Sequence, residues 1–426
     1  MIKNDRYLPR LVDSIVDETL AVIGAVHLNG PKCCGKTWTS KHHCNSFYQL
    51  DQPDGNYNNL KLAKADLGYA LNGDYPRLID EWQLLPAVWD AVRNSVDDKG
   101  HKGIFILSGS STPKEESRPF HSGLGRIATV HMRTMSLFES KNSDGTVSLK
   151  GLFDGNFANT HMKEVSLNTI LDLTIRGGWP GNQGLDPTQI SKTISAYARQ
   201  LCYEDLFTVD RSKDPARMMR VLRSLSRKES TLASRNVLAK DMKEFEDDVI
   251  SDDTVGEYIS ALDKMYLIEN QEAFNPHLRS SIRVRKTPKR HLTDPALAIS
   301  MLGLTKDMLL NDLDTFAFMF EAMCERDLQI YAYANGGDLY HYKDGKKRKI
   351  DAVVKMPDGR WGAFEIKLSA WAIDEGAENL KKIDALIRDD PKGKPPEFLA
   401  VICGTSSTAY RRDDGVYVIP ITSLGP

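Results

Sequence analysis

The sequence lacks the features that mark secreted, disulfide-stabilised and membrane-spanning proteins. Its 426 residues include only six cysteines, without the spacing of a disulfide framework. No apolar run approaches the length needed to cross a bilayer, and no signal peptide is recognisable at the start. We therefore expect a cytoplasmic globular protein without membrane contact, long enough for several domains.

An excess of charge of either sign is also absent. The chain has 56 Lys and Arg against 58 Asp and Glu, a net charge of −2, which argues against a uniformly basic protein that coats nucleic acid. Basic residues are concentrated locally instead, in residues 279–290 and 343–349 and among the arginines of 217–227. Each group could be a solvated surface or a nucleic-acid contact.

The stretch GPKCCGKTW, residues 30–38, follows an apolar run and precedes a segment that can be helical. It contains G-x-x-x-x-G-K-T, the pattern of a loop whose backbone N–H groups surround a phosphate. Lys36 would reach the β- and γ-phosphates of ATP, and the Thr37 hydroxyl would ligate Mg²⁺. The sequence therefore predicts a nucleotide site here.

A second apolar strand ends in two acids, in the sequence RLIDEW at residues 77–82. Asp80 would hold Mg²⁺ through water, and Glu81 would polarise the attacking water. Adjacent Asp and Glu at this place are typical of hydrolytic ATPases. The predicted nucleotide-binding residues are Gly30, Pro31, Lys32, Cys33, Cys34, Gly35, Lys36, Thr37, Trp38, Asp80 and Ser110.

Two further groups are candidates for sensing or stabilising the γ-phosphate. The strand that ends in SGSS places Ser108 or Ser110 beside it. Downstream, Arg126 or Arg133 could neutralise charge in the transition state as an arginine finger, although each could equally lie on a plain surface. If Arg126 acts on a neighbouring subunit, we expect a homo-oligomer such as a ring.

Six stretches in this order resemble prokaryotic AAA-type ATPases that carry an uncharacterised C-terminal domain. They are GPKCCGKTWT, LIDEWQLLPAVWDAVR, ILSGSST, HSGLGRI, RTMSLFES and IRGGWP. The resemblance covers the N-terminal half densely. It implies a parallel sheet with β-α units and the family roles of Gly30, Lys36, Thr37, Asp80 and Glu81, with Ser110 as the sensor.

The middle of the chain has the helix, short helix, helix and strand order of a winged helix-turn-helix module. Residues 283–298 would supply its basic wing and return strand. The presumed recognition helix is acidic, with Asp252 and Asp253 at its start, so the wing is the expected DNA contact. Such modules also bind proteins.

Near the C-terminus, the strand WGAFEIKLS places Glu365 and Lys367 on one face, because side chains alternate along a strand. Asp351 lies on the preceding strand of a meander with Asp-Gly turns, and antiparallel pairing can bring it beside Glu365. Two such carboxylates can bind Mg²⁺ while Lys367 orients the hydrolytic water. Glu321, on a preceding helix, can complete the shell.

This order of Asp, spacer and Glu-x-Lys between two helices resembles the restriction-endonuclease-like superfamily over roughly residues 315–426. The resemblance implies metal-dependent cleavage of nucleic acid, with Ile350 where a Pro often precedes the Asp. Nuclease folds also recur without activity. Our predicted metal ligands are Thr37, Asp80, Glu321, Asp351 and Glu365, and our predicted catalytic residues are Glu81, Lys367 and Arg126.

The combined prediction is an α/β protein: a parallel-sheet P-loop domain, a mostly α winged-helix-like module and a C-terminal α/β domain. The predicted bounds are 1–160 for the ATPase domain, 161–205 for a helical linker or lid, 206–312 for the winged-helix-like module and 313–426 for the nuclease-like domain. The expected function is ATP hydrolysis with Mg²⁺, acting on DNA through the nuclease-like domain. The alternative is a nucleotide-switched regulatory or interaction protein whose nuclease-like domain binds without cutting. A remodelling ATPase that acts on proteins is a weaker third hypothesis.

Overall fold

The computed structural model describes residues 7–111, 119, 121–276 and 287–426. These residues form two compact units, each built from segments distant in sequence. One unit comprises the chain up to Thr134 with residues 201–215 and 260–267, and the other comprises residues 135–200, 216–259 and 268–426. No helix among the described residues is both long and apolar enough to cross a bilayer.

The elements up to residue 209 alternate between strand and helix before becoming mainly helical. They are α1 (Val12–Val22), β1 (Ala25–Asn29), α2 (Lys36–His43), β2 (Ser46–Gln49), α3 (Asp54–Ala65), α4 (Gly68–Leu71), β3 (Arg77–Asp80), α5 (Ala87–Lys99), β4 (Phe105–Gly109), β5 (Ile127–His131), β6 (Val147–Ser148), α6 (Leu149–Phe153), β7 (Thr160–His161), α7 (Leu167–Arg176), α8 (Pro187–Gln200) and α9 (Leu206–Val209).

The rest of the chain begins with helices and ends in a mixed sheet. Its elements are α10 (Pro215–Arg227), α11 (Arg235–Phe245), α12 (Asp252–Lys264), β8 (Ile268–Ala273), β9 (Lys289–Leu292), α13 (Pro295–Met301), α14 (Lys306–Asn311), α15 (Leu313–Ala334), β10 (Asp338–Lys343), β11 (Lys349–Lys355), β12 (Trp361–Lys367), α16 (Ile373–Asp389), β13 (Phe398–Cys403), β14 (Thr408–Arg411), β15 (Tyr417–Pro420) and β16 (Leu424–Gly425).

The sheet of the first unit has the order β2-β3-β4-β1-β5, and every neighbouring pair is parallel. Its strands are short runs of buried apolar residues, as expected where helices cover both faces. Because the strands are parallel, their carboxyl ends lie along one edge. The loop after β1 and the acids at the end of β3 therefore share that edge, which is where ligands bind in open α/β sheets.

The large sheet of the second unit has the order β7-β14-β15-β13-β12-β11-β10-β8-β9. Strands β10, β11 and β12 form the antiparallel meander predicted from the Asp-Gly turns, and β13 pairs parallel to β12 after α16. Helix α16 buries Leu380 and Ile383 in the same apolar cluster as Trp361 and Val401. The mixed α/β fold class predicted from the sequence is confirmed.

The hairpin predicted as a basic wing is part of this large sheet. Strand β8 pairs parallel to β10, and β9 pairs antiparallel to β8. Residues 277–286, which hold most of the predicted wing, lie outside the described residues. Lys289 on β9 is buried. Its assignment to a DNA-facing wing was therefore wrong, because a buried side chain cannot reach a phosphate backbone.

The arginines of α10 face acids rather than solvent alone. Arg217 donates both Nε and Nη2 to Asp248, at 2.9 and 3.1 Å. Arg227 donates Nε to Asp241 at 2.9 Å and Nη1 to Glu246 at 2.9 Å. The near-helical spacing of these arginines thus serves ion pairs with α11 and the residues after it. These pairs reduce the positive charge that this helix could offer to DNA.

Candidate functional sites

Glycine is required at both ends of the loop between β1 and α2. Gly30 has φ +146°, and a Cβ there would lie 2.0 Å from the carbonyl oxygen of Met132. Gly35 has φ +110° and directly precedes the first residue of α2. Only glycine adopts these conformations without strain. The loop therefore has the backbone geometry that the phosphate-loop motif predicts, with the amino terminus of α2 at its end.

Lys36 is buried at the base of this loop. Its Nζ donates to the carbonyl oxygens of Gly30 at 2.9 Å and Pro31 at 2.8 Å. Both acceptors are neutral, so the ammonium charge is not cancelled by a carboxylate in these contacts. The lysine can therefore exchange the two carbonyls for phosphate oxygens.

Arg10 supports the loop from outside the motif, which the sequence analysis missed. Its Nη1 donates to the Cys34 carbonyl at 2.9 Å, and its Nη2 donates to the carbonyls of Arg133 and Thr134 at 2.9 and 3.1 Å. The guanidinium is buried and so ties the loop to the chain after β5. No sequence pattern marks this residue, because its partners are all backbone atoms distant along the chain.

Asp80, at the end of β3, lies beside the first turn of α2. Thr37 Oγ1 lies 3.4 Å from Asp80 Oδ1, and Ser108 Oγ donates to the same oxygen. Burial raises the pKa of Asp80, and the hydrogen bonds from Ser108 and Thr37 offset part of that rise. The hydroxyl and the carboxylate together form a set of hard oxygen donors that fits a hydrated Mg²⁺ bound with nucleotide.

Glu81 adopts the left-handed conformation, with φ +55°. Gln83 Nε2 donates to its Oε2, and Ser110 Oγ lies 3.5 Å from that oxygen. Burial and then the nearby charge of Asp80 raise the pKa of Glu81. A raised pKa brings a carboxylate closer to that of an effective general base. The backbone strain at Glu81 is of the kind that clusters at functional sites.

Asp51 is a third acid at this edge and was not predicted. It follows β2, whose Gln49 pairs with Asp80. Its Oδ1 is buried and accepts no hydrogen bond from any described residue. Its charge raises the pKa of both Asp80 and Glu81, after burial. The signal available in the sequence was an acid just after a short strand next to β3.

The remaining residues of the loop motif differ in exposure. Lys32 Nζ forms an ion pair with Asp205 Oδ1 at 2.6 Å. Cys34 is buried with its thiol toward the Met132 carbonyl, Cys33 is exposed, and Trp38 is 48% exposed. Asp205 ends a short π-helical turn, Leu201–Asp205, within the same compact unit.

The two candidate arginine fingers lie at opposite edges of the sheet. Arg126 directly precedes β5, whose Ile127 pairs with Ala25 at the start of β1, and its Nε forms an ion pair with Asp97 at 2.7 Å. It therefore lies at the edge away from the phosphate loop of its own chain. Arg133 follows β5 and so lies at the loop edge. Neither role as a finger is tested by this arrangement.

In the second unit, the predicted carboxylates are neighbours. Asp351 and Glu365 flank the paired residues Ala352 and Phe364. Asp351 Oδ2 accepts the Ile366 N–H at 3.1 Å, and Asp351 Oδ1 lies 3.1 Å from Lys349 Nζ. Both carboxylates are almost fully buried.

Glu365 has partners of its own on α16 and β12. Its Oε1 accepts from Asn379 Nδ2 at 2.9 Å, and its Oε2 lies 3.6 Å from Lys367 Nζ. Lys367 also lies 3.5 Å from Glu375. Burial and the charge of Asp351 raise the pKa of Glu365 to about 8.

Glu321 on α15 faces the same region, together with an acid that was not predicted, Glu325. Lys289 Nζ, from β9, donates to Glu321 Oε1 and lies 2.7 Å from Glu325 Oε1. Glu325 Oε2 lies 3.3 Å from His291 Nε2, also on β9. A lysine therefore bridges the two glutamates. The described residues contain no group of three or more His, Cys, Asp or Glu side chains arranged to hold a metal ion.

Three segments of the chain match known protein families. Residues 24–141 match the family described as an AAA domain, and residues 167–308 and 316–424 match two domains of unknown function, DUF8612 and DUF4143. No curated protein matches the chain. A Walker-type ATPase of Pyrococcus abyssi aligns over 70% of this chain and 97% of its own, with 13% identity and a TM-score of 0.42.

The Hsp104–ADP complex of S. cerevisiae aligns over 92% of this chain and 65% of its own, with 14% identity and a TM-score of 0.28. The family match to the N-terminal segment agrees with the sheet order, the loop geometry and the paired acids described above. Residues 24–141 are therefore an AAA-type P-loop domain that binds nucleotide.

Proposed function

We propose that the N-terminal domain hydrolyses ATP, with Glu81 as the general base. The observation that supports this is the convergence of four groups at one edge of the sheet. Thr37 and Ser108 both lie within hydrogen-bond reach of Asp80, and Glu81 follows in a strained conformation with a raised pKa. Binding alone would need the loop and Lys36 but no second, polarised acid.

Each side chain then has a distinct task. Lys36 leaves the carbonyls of Gly30 and Pro31 and pairs with the β- and γ-phosphates, while loop N–H groups and the start of α2 hold the remaining negative charge. Thr37 and Asp80 would hold Mg²⁺, which neutralises charge on the phosphates. Glu81 accepts a proton from the attacking water. Gln83 and Ser110 fix the orientation of the Glu81 carboxylate.

The experiment is a comparison of ATP turnover and nucleotide affinity between the wild type and Glu81→Gln. We expect unchanged affinity and a rate lower by a factor on the order of 10² or more. Glu18→Gln, at an exposed position on α1, is the matched control and should leave both quantities unchanged. Equal loss of affinity and rate in Glu81→Gln would remove Glu81 from the role of base.

We also propose nucleic acid, with DNA first, as the partner of the second unit. The order α15, β10 to β12, α16 and β13 is that of the predicted restriction-endonuclease-like core. The turn between β10 and β11 exposes Lys346 and Lys347. Exposed lysines at a hairpin tip can approach a phosphate backbone without paying for burial.

The test of this partner is a fluorescence anisotropy titration with DNA over a range of salt concentrations. Replacing Lys346 and Lys347 by Gln should weaken binding and reduce the salt slope by about two contacts. Lys61 and Lys64, both exposed on α3 of the other unit, form the matched control pair. An unchanged slope in the Lys346 and Lys347 variant would assign the hairpin tip to solubility alone.

A further inference from the structure

The carboxylate cluster of the second unit is larger than the resemblance to nucleases requires. The two predicted strand acids, Asp351 and Glu365, are joined by Glu321 and Glu325, one turn apart on α15. These acids are buried, with exposed fractions between 1 and 9%. Several buried negative charges are costly unless cations or hydrogen-bond donors compensate them.

The compensation comes from side chains of this chain. Lys289, 5% exposed, bridges Glu321 and Glu325. Lys349 pairs with Asp351 at 3.1 Å. Glu365 is held by Asn379 and lies near Lys367. Each carboxylate therefore already has a cationic or amide partner.

Strand β9 delivers Lys289 to this position, and neighbouring contacts fix the strand. His291, two residues later and so on the same face of β9, lies 3.0 Å from both Glu229 Oε1 and Gln271 Oε1. Gln271 in turn donates to the carbonyls of Tyr340 at 2.8 Å and Asp351 at 3.3 Å. The lysine is thus anchored through the sheet and is not a mobile surface side chain.

From this arrangement we propose that Lys289 is the resident cation of the cluster and takes the place that the resemblance assigns to Mg²⁺. The second unit then binds no divalent ion there and does not cleave phosphodiesters. The proposal concerns a site separate from the nucleotide site, so it stands or falls independently of ATP hydrolysis.

Electrostatics supports the exclusion of a divalent ion. Burial lowers the pKa of Lys289, but the charges of Glu321 and Glu325 outweigh burial and raise that pKa above its usual value. The lysine therefore stays charged at any working pH. A divalent cation sharing the same carboxylates would lie within a few ångströms of the ammonium, where like charges in a poorly solvated site repel strongly. One of the two cations has to leave.

Removing the lysine should therefore open a divalent-ion site. The experiment uses the full chain with Asp80→Asn, which silences the nucleotide-site metal, and compares it with the same chain carrying Lys289→Met. Mn²⁺ binding is measured by calorimetry at pH 8 without nucleotide, and thermal unfolding is followed with and without Mn²⁺. We expect no Mn²⁺ binding in the parent. We expect a lower melting temperature in Lys289→Met that Mn²⁺ restores, with an affinity for Mn²⁺ at least ten times that of the parent.

The control adds Glu321→Gln and Glu325→Gln to Lys289→Met, and it should lose the acquired Mn²⁺ binding. A parent protein that binds one Mn²⁺, and loses it on Glu321→Gln alone, would overturn the proposal. So would a folded Lys289→Met protein that binds no Mn²⁺. If Lys289→Met does not fold, the parent and its Glu321→Gln variant decide: Mn²⁺ binding that this substitution abolishes overturns the proposal, and no binding supports it.

Discussion

Lys36 and Lys289 are both buried lysines in polar sites, but they are held by different kinds of acceptor. Lys36 donates to two backbone carbonyls, those of Gly30 and Pro31. Lys289 lies between two carboxylates, those of Glu321 and Glu325. The first lysine keeps its charge available to an anion, whereas the second spends its charge on the protein itself.

The difference teaches how a buried lysine can be classified by its acceptors. A hydrogen bond between a charged donor and a neutral acceptor contributes roughly 1.5–3 kcal/mol, and a phosphate oxygen can replace such an acceptor without loss. Breaking a buried ion pair by removing one partner costs about 3–5 kcal/mol, because the other charge is left unpaired. Acceptor chemistry therefore separates a ligand-binding lysine from a structural one.

The largest expected effect is on nucleotide binding. Lys36→Met should lower the affinity for ATP by a factor on the order of 10² or more, since the phosphates lose their main cationic partner. Its stability should change little, because only neutral carbonyls lose a donor. Titration with a fluorescent nucleotide measures the affinity, and Lys289→Met is the control that should keep it. Comparable losses of affinity in both variants would erase the distinction between the two lysines.

The next effect is on stability, at a buried ion cluster with no proposed cation exchange. Arg326 pairs with Asp294 at 2.9 Å and Asp327 at 2.7 Å, and all three side chains are buried. Arg326→Met should cost about 3–5 kcal/mol of unfolding free energy. Mn²⁺ should not restore it, because Asp294 and Asp327 also accept the backbone N–H groups of Gly178 and Leu137.

Chemical denaturation with and without Mn²⁺ checks this expectation. Lys306→Met is the control, since Lys306 pairs with Asp172 where both side chains are partly exposed, and it should cost less than about 1 kcal/mol. Recovery of Arg326→Met by Mn²⁺ would show that rescue is a general property of buried acids, and would weaken the test applied to Lys289.

The nucleotide site could be predicted because its chemistry is local in sequence. Gly30 to Thr37 are contiguous, and Asp80 and Glu81 are adjacent, so spacing alone indicates the loop and the acids. The meander β10 to β12 was predictable for a similar reason, since Asp-Gly turns separate runs with strand periodicity. Both features require only neighbours along the chain.

The partners of these residues could not be predicted, because they come from distant segments. Arg10 reaches the loop through backbone carbonyls, which leave no pattern in the sequence. Lys289 belongs to a run of basic residues that resembles a solvated or DNA-binding segment, and only the pairing of β9 with β8 buries it. Charge runs give the composition of a segment but not which member faces inward.

A smaller effect is expected at the second lysine of the loop, Lys32. Its ion pair with Asp205 is partly exposed, with side-chain exposures of 39 and 16%. Asp205→Asn should change stability by less than about 1 kcal/mol. It should raise the affinity for ATP a few-fold, because Lys32 would no longer be held by a charged competitor of the phosphates. Asp210→Asn, in the same segment, is the control, and lower affinity in Asp205→Asn would mean that the ion pair shapes the loop.

The smallest effect is a pH dependence at the end of α2, close to the nucleotide site. His43 lies 3.2 Å from Asp13 and 2.7 Å from Asp17. Burial lowers the pKa of His43, but the hydrogen bond and charges of the two acids outweigh burial and raise that pKa above its usual value of 6.5. A raised histidine pKa stabilises the folded state fully below pH 6.5, and this contribution is lost as the pH rises through the folded pKa.

His43→Gln should therefore reduce the unfolding free energy by about 0.3–1 kcal/mol at pH 6 and by less at pH 8.5, because Asp17 is largely exposed and its attraction is screened. Denaturant titrations at the two pH values measure the difference. His42→Gln is the matched control: its ring stacks on Tyr7, so it should shift both values alike. A loss in His43→Gln that is equal at both pH values would mean that the histidine acts through packing and neutral hydrogen bonds, not through charge.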